Sequence, residues 1–134
     1  MTNVIVIDDE SDVSEVLCEF LKIKGINVVG RGTNGRDAIN LYAQLKPDLV
    51  LMDLVMPDFD GFYGIKKIRN IDSHAKIIIV SASLTHYYVD KLIEMNVSAI
   101  SLKPYDFNHL IELINKVNDG IPVQKIPTKF SKNN

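Results

Sequence analysis

Five times along this chain a short apolar run is followed by a stretch whose apolar residues recur at helical spacing, and that alternation restricts the fold more than any other feature. Parallel strands need a crossover long enough to hold a helix, and such crossovers are right-handed and unknotted. The repeating unit therefore predicts an α/β domain, a parallel sheet with helices on both faces. The strands read as Val4-Ile5-Val6-Ile7, Ile26 to Gly30, Leu49 to Met52 closing on Asp53, Lys76 to Val80, and Val97 to Leu102. The first, third and fourth are apolar without interruption, as strands buried on both faces are. Asn27 interrupts the second, and Ser98 and Ser101 the fifth, which sends those two to the edges. This pattern is consistent with a doubly wound five-stranded sheet of order 2-1-3-4-5, whose winding reverses between strands one and three.

Between the strands, Val13, Val16, Leu17, Phe20 and Leu21 mark the stripe of a first helix that Gly25 stops. Asn34 is placed to cap the second, which carries Ala38, Ile39, Tyr42 and Leu45 and closes at Lys46-Pro47. A third runs from about Gly61 to Asn70 over Phe62, Ile65 and Ile68, with Lys66, Lys67 and Arg69 read as its solvated face. Tyr88, Val89, Leu92, Ile93 and Met95 suggest a fourth, and Phe107, Leu110, Ile111, Ile114 and Val117 a fifth, between Asp106 as cap and Gly120 as stop. Residues 121–134 hold Pro122, Pro127 and three lysines without an apolar period. They predict a flexible basic C-terminal tail behind one domain of residues 1–120.

Composition narrows the function. A net charge of -2 and a pI near 5.9 give no overall basic surface for nucleic acid. The single cysteine, Cys18, excludes an intrachain disulfide and a cysteine-based metal cluster, and in its helical setting it reads as a small buried hydrophobe. No apolar stretch reaches membrane-spanning length, and Met1-Thr2-Asn3 leads straight into the first strand rather than into a signal peptide. A cytoplasmic protein is expected.

Ligands of open α/β sheets sit at the carboxyl ends of the strands, beside the point where the winding reverses. Asp8 and Asp9 close the first strand and Asp53 the third, so these acids flank that point. Each alone could be an ordinary loop acid. Gathered in one crevice, such carboxylates raise one another's pKa unless positive charge arrives. A hard cation with oxygen ligands meets that need, and Mg2+, which keeps several waters, asks for few protein ligands. Histidine is missing from these positions, which argues against zinc, and His74, His86 and His109 are scattered. Ser81 ends the fourth strand and Lys103 follows the fifth. A hydroxyl, an ammonium and a divalent cation around a carboxylate suit a phosphoryl group. Asp53 would be its nucleophile, with Mg2+ and Lys103 neutralising the transferring oxygens.

Asp8-Asp9, Asp53 with Met56-Pro57-Asp58 and Asp60-Gly61 behind it, Ser81-Ala82 and Lys103-Pro104 together resemble the receiver domain of two-component response regulators, over about residues 3 to 119. The flavodoxin-like order 2-1-3-4-5 is the known arrangement of that family's chemotaxis member, so the topology is not independent of the resemblance. The resemblance implies a phosphoprotein of a phosphorelay. A histidine kinase or phosphotransfer protein would donate a phosphoryl group from a phosphohistidine to Asp53. Asp9 and Asp53 would bind Mg2+ directly with the Val55 backbone carbonyl, and Asp8 mainly through water. Ser81, Lys103 and the backbone N–H groups of Leu54 and Ala82 would hold phosphoryl oxygens, and the Lys103-Pro104 bond would be cis. Movement of Ser81 would reshape the surface of the fourth helix, fifth strand and fifth helix for a downstream protein target. A monomer or weak homodimer is expected, with no membrane or direct nucleic-acid partner and with slow self-dephosphorylation as the only turnover.

Departures from the family pattern matter too. Ile100 stands three positions before the lysine, where an aromatic switch residue is common, and Tyr87-Tyr88 lies on the output helix as a candidate contact. Val55 and Ser83 occupy the places that influence attack by water, and Val55 cannot orient one, which predicts a long-lived phosphoryl group. Two other classes compete. A pseudo-receiver would act only as an interaction scaffold. A phosphohydrolase with an aspartate nucleophile would carry a second acid where Val55 stands.

Overall fold

In a computed structural model that describes residues 1–130, the alternation folds as β1 (Asn3–Ile7), α1 (Ser11–Ile23), β2 (Asn27–Gly32), α2 (Gly35–Leu45), β3 (Leu49–Asp53), α3 (Gly61–Ile71), β4 (Ile77–Ser81), α4 (His86–Glu94), β5 (Ala99–Leu102) and α5 (Phe107–Asn118). The strands pair in parallel in the order β2-β1-β3-β4-β5. The two interrupted strands are the edges, as their composition predicts.

Side chains alternate across a strand, so each apolar run feeds two cores. Val4, Val6, Leu49, Leu51, Ile78 and Val80 meet α1 and α5 on one face. Ile5, Ile7, Val50, Met52, Ile77 and Ile79 meet α2, α3 and α4 on the other. Burying each such side chain contributes roughly 1.5–3 kcal/mol. This double burial makes the central strands the rigid frame from which the site projects. Cys18 is buried in the α1 layer, where burial pushes its thiol pKa up.

Side chains of Asn34, Asp60, Thr85 and Asp106 accept hydrogen bonds from the N–H groups of Asp37, Tyr63, Tyr88 and His109 and so cap α2, α3, α4 and α5. Such a cap is worth about 1 kcal/mol. Asn34 and Asp106 are the two that the sequence reading places.

Some expectations shift. Register slips between β1 and β2, from Val4 opposite Val28 to Ile5 opposite Gly30, so Val29 forms a bulge on an edge strand. Val16 is 58% exposed, because it lies about 100° around the helix from Leu17, off the buried face. Arg69 does not share the solvated face of Lys66 and Lys67. Its guanidinium turns inward to the carbonyls of Ala75 and Asn96 and ties α3 to the turn before β5.

Beyond α5, residues 121–130 return to the domain. Val123 packs beside the α1/α5 core, and a 3-10 turn, Thr128–Phe130, buries Phe130 to 8% exposure in the opposite core. Two anchors on either side of Pro127 make no period, so the sequence pattern could not show them. Residues 131–134 of the predicted tail lie outside the described residues.

Candidate functional site

The crevice is built by strand exits. Asp8 continues the line of β1, its N–H bonded to the Gly32 carbonyl at 3.0 Å, and Asp53 is the last residue of β3. Next to them β4 ends on Ser81, and Lys103 leaves β5 with its N–H on the Ser81 carbonyl at 3.0 Å. Gly61 lets the chain turn tightly here. A Cβ on it would stand 2.7 Å from the Asp53 carbonyl oxygen and 2.8 Å from Leu54 Cα, so α3 could not start so close to the β3 exit. The peptide bond between Lys103 and Pro104 is cis, as the resemblance implies.

Lys103 organises the charges. Its Nζ lies 2.8 Å from Asp8 Oδ2, 3.1 Å from Asp53 Oδ2 and 3.5 Å from Glu10 Oε1, while its side chain is only 8% exposed. Asp53 Oδ1 accepts the Leu54 N–H at 2.8 Å. Tyr105 donates its hydroxyl to Asp8 Oδ2 at 3.0 Å, and burial with the Asp8 charge pushes its phenol pKa up, so it stays a donor.

One ammonium shared among three acids does not satisfy them all. Burial, with the Asp8 charge acting the same way, raises the Asp53 pKa despite Lys103 and the Leu54 N–H. Burial opposes the charge on Lys103, but its bonds to Asp8 and the charge of Asp53 prevail and raise its pKa. The two rises agree physically: the lysine is over-supplied with partners and the aspartate under-supplied.

Asp8, Glu10 and Asp53 each offer an oxygen within 4.8 Å of the others. Three carboxylates against one ammonium leave two negative charges, and the group holds neither thiol nor imidazole. An all-oxygen set of that charge fits a hard divalent cation such as Mg2+. Asp9, expected as a direct ligand, is exposed and outside this group, and Glu10 stands in it instead. The chain bends at Asp9, and the Glu10 N–H donates to Asp8 Oδ1 at 2.9 Å, which keeps Glu10 beside Asp8.

Other predicted residues fall as follows. Ser81 is buried, and its Oγ accepts the Ser83 N–H at 3.1 Å rather than joining the carboxylates. Ala82 is exposed beside it, and Val55 is half exposed in the loop after β3. Ile100 is buried in the α4-side core, Tyr88 meets Phe62 edge-on at 5.5 Å, and Tyr87 is 68% exposed. Sequence reasoning assigned no role to Glu10 or Tyr105. Their proximity to Asp8-Asp9 and Lys103-Pro104 was the available signal.

Residues 4–115 match the response regulator receiver domain family. The chain is 36% identical over 115 residues to the chemotaxis protein CheY of Thermotoga maritima, covering 86% of this chain and 96% of that protein. It is 33% identical to CheY of Bacillus subtilis, covering 84% and 94%. Among solved structures, a LuxR-family DNA-binding response regulator from Staphylococcus aureus superimposes with a TM-score of 0.82 at 29% identity, over 88% of this chain and 99% of that one. CheY from a Borrelia burgdorferi CheX-CheY-BeF3-Mg complex shares the fold at a TM-score of 0.82 and 24% identity, over 87% and 88%.

Proposed function

The chain belongs to the response regulator receiver family, and on that premise we propose that it is a phosphorylation-controlled binding module whose acceptor is Asp53. The donor is the phosphohistidine of a histidine kinase or phosphotransfer protein. An Asp53 carboxylate oxygen attacks phosphorus, the P–N bond breaks, and the donor imidazole leaves with the electron pair and takes up a proton. Asp8 and Asp53, with the Val55 carbonyl and either Asp9 or Glu10, would hold Mg2+. When bound, it supplies neutralising charge on the transferring oxygens.

The observation that carries this reading is the Lys103 ammonium, 2.8 Å from Asp8 and 3.1 Å from Asp53 at the end of β3. From there it can follow a phosphoryl oxygen without crossing the pocket. The N–H groups of Leu54 and Ala82 and the Ser81 hydroxyl are the remaining donors for that group. The Ser81 oxygen accepts the Ser83 N–H and keeps its own hydrogen to donate, and Ser81 pairs with Leu102 of β5 in the sheet. Its movement therefore bears on α4, β5 and α5, the face we assign to a downstream protein target. Among the described residues no helix is long and apolar enough to cross a membrane, in keeping with a cytoplasmic site of action.

Beryllofluoride with Mg2+ tests the proposal by heteronuclear NMR. Wild type should show shifts that centre on Asp53 and spread through α4, β5 and α5, while Asp53→Asn should show none. Equal spectra would leave only the scaffold reading. Because Val55 offers no polar group to an attacking water, the phosphorylated form should lose phosphate slowly and Val55→Asn should hasten the loss. Rapid loss that Val55→Asn does not change would refute that part.

A further inference from the structure

The α4–β5–α5 face is not bare. Residues 121–130 run back across it from the end of α5 to the start of α4. At one end the Ile121 N–H holds the Lys116 carbonyl at 2.9 Å, and at the other the Phe130 ring meets His86 edge-on at 5.0 Å. Between them Lys125 donates to the side chain of Asn96, in the turn before β5, at 3.0 Å.

The hold is local. Phe130 inserts into one core and Val123 packs against the other, but Ile121 remains 49% and Ile126 36% exposed. The segment also stands off α5 far enough to leave a cleft of about 520 Å³ lined by Leu102, His109, Leu113 and Pro122. Two anchors over ten residues make an element that opens at far lower cost than the domain unfolds.

We propose that residues 121–130 are an intramolecular strap that occupies the partner-docking face and that acylphosphate formation at Asp53 loosens it. This rests on the functional reading above. The physical link is β5. Across the cleft the strap faces Ile100, Ser101 and Leu102, and the next residue is Lys103. The docked strap coexists with Lys103 on Asp8 and Asp53 and with Ser81 on Ser83. A phosphoryl group would draw Lys103 and Ser81 to itself and so alter the strand that the strap faces. Coupling is reciprocal, so a target that displaces the strap would in turn favour the phosphorylated arrangement.

The test uses the full chain, wild type and Phe130→Ala, with tryptic cleavage after Lys125 followed by mass spectrometry and amide spectra recorded alongside. Proteolysis of a strap tracks its open population, so cleavage should be on the order of tenfold faster in Phe130→Ala, with Phe130→Leu between the two. Amides of His86, Tyr88 and Ile100 should move in Phe130→Ala, and those of β2 should not. Beryllofluoride with Mg2+ should bring the wild-type rate toward that of Phe130→Ala. Equal rates in the two proteins, or shifts confined to residues beyond 120, would overturn the strap. Protection that fades on dilution would assign the segment to a second copy and overturn the intramolecular form. Pocket shifts with an unchanged wild-type rate would overturn the coupling. No pocket shifts at all would instead overturn phosphoacceptance, with the comparison of wild type and Phe130→Ala still deciding the strap.

Discussion

Asp53 and Asp72 are both hydrogen-bonded carboxylates, and they titrate in opposite directions. Asp72 lies in the turn after α3, where the His74 N–H, first, and the Tyr42 hydroxyl lower its pKa. Each donor there serves that one acid, and nothing further is called for. Asp53 is buried at a strand exit, beside another acid, and shares its one cationic partner. Its pKa rises. A carboxylate whose donors are its own holds structure together, whereas one left short of positive charge awaits a ligand. On this view the pocket spends stability that the Tyr42–Asp72 contact does not.

The largest test of that contrast is removal of Lys103. Lys103→Ala should destabilise the fold by about 3 kcal/mol in urea titrations without divalent ions, because buried carboxylates lose their one counter-charge. Mg2+ should restore part of the loss by mass action. An unchanged midpoint would mean that the crevice is already screened.

Asp53→Asn should act with the opposite sign. A folded pKa raised above 3.8 means that the Asp53 contribution is favourable only in acid and is lost as pH rises through the folded value. Without Mg2+ at neutral pH the variant should therefore melt higher than wild type, by roughly 2–6 °C. The difference should close as pH falls toward 4, and Mg2+ should stabilise wild type far more than the variant. A variant that melts lower at neutral pH would contradict the account of the pocket.

Tyr42→Phe probes the other region and should have the smallest effect, a drop of roughly 2–4 °C. Burial first, then Asp72, pushes the Tyr42 pKa up to about 12. Its hydroxyl therefore contributes below the ordinary phenol range, and that contribution fades between about pH 10 and 12. Tyr42→Phe should lack that alkaline decline, and Mg2+ should not alter the difference between the two proteins.

How much of this could be read from the residues varies with how local the signal is. The central strands are continuous β-branched and aliphatic runs, so their burial and the positions of Asp53 and Ser81 at their exits follow from pattern alone, while Lys103 is placed by the alternating edge strand before it. Asn34 and Asp106 act within three residues and are as legible. Glu10 was harder to assign than Asp9, because which acid turns inward depends on where β1 gives way to α1. Tyr105 reaches Asp8 across 97 residues of sequence, and no local rule encodes that contact. Phe130 is a lone aromatic after a proline-broken stretch, and only the assembled α4–β5 face gives it a place to bury.

The central claim is that the acids closing β1 and β3 make Asp53 an acceptor that depends on a divalent cation. Intact-mass spectrometry after incubation with acetyl phosphate tests it most directly, with Mg2+ or with excess EDTA, followed by peptide mapping. The account predicts one added phosphoryl group on the peptide that holds Asp53, with Mg2+ only and never in Asp53→Asn. Labelling of another residue, or equal labelling in EDTA, would contradict it.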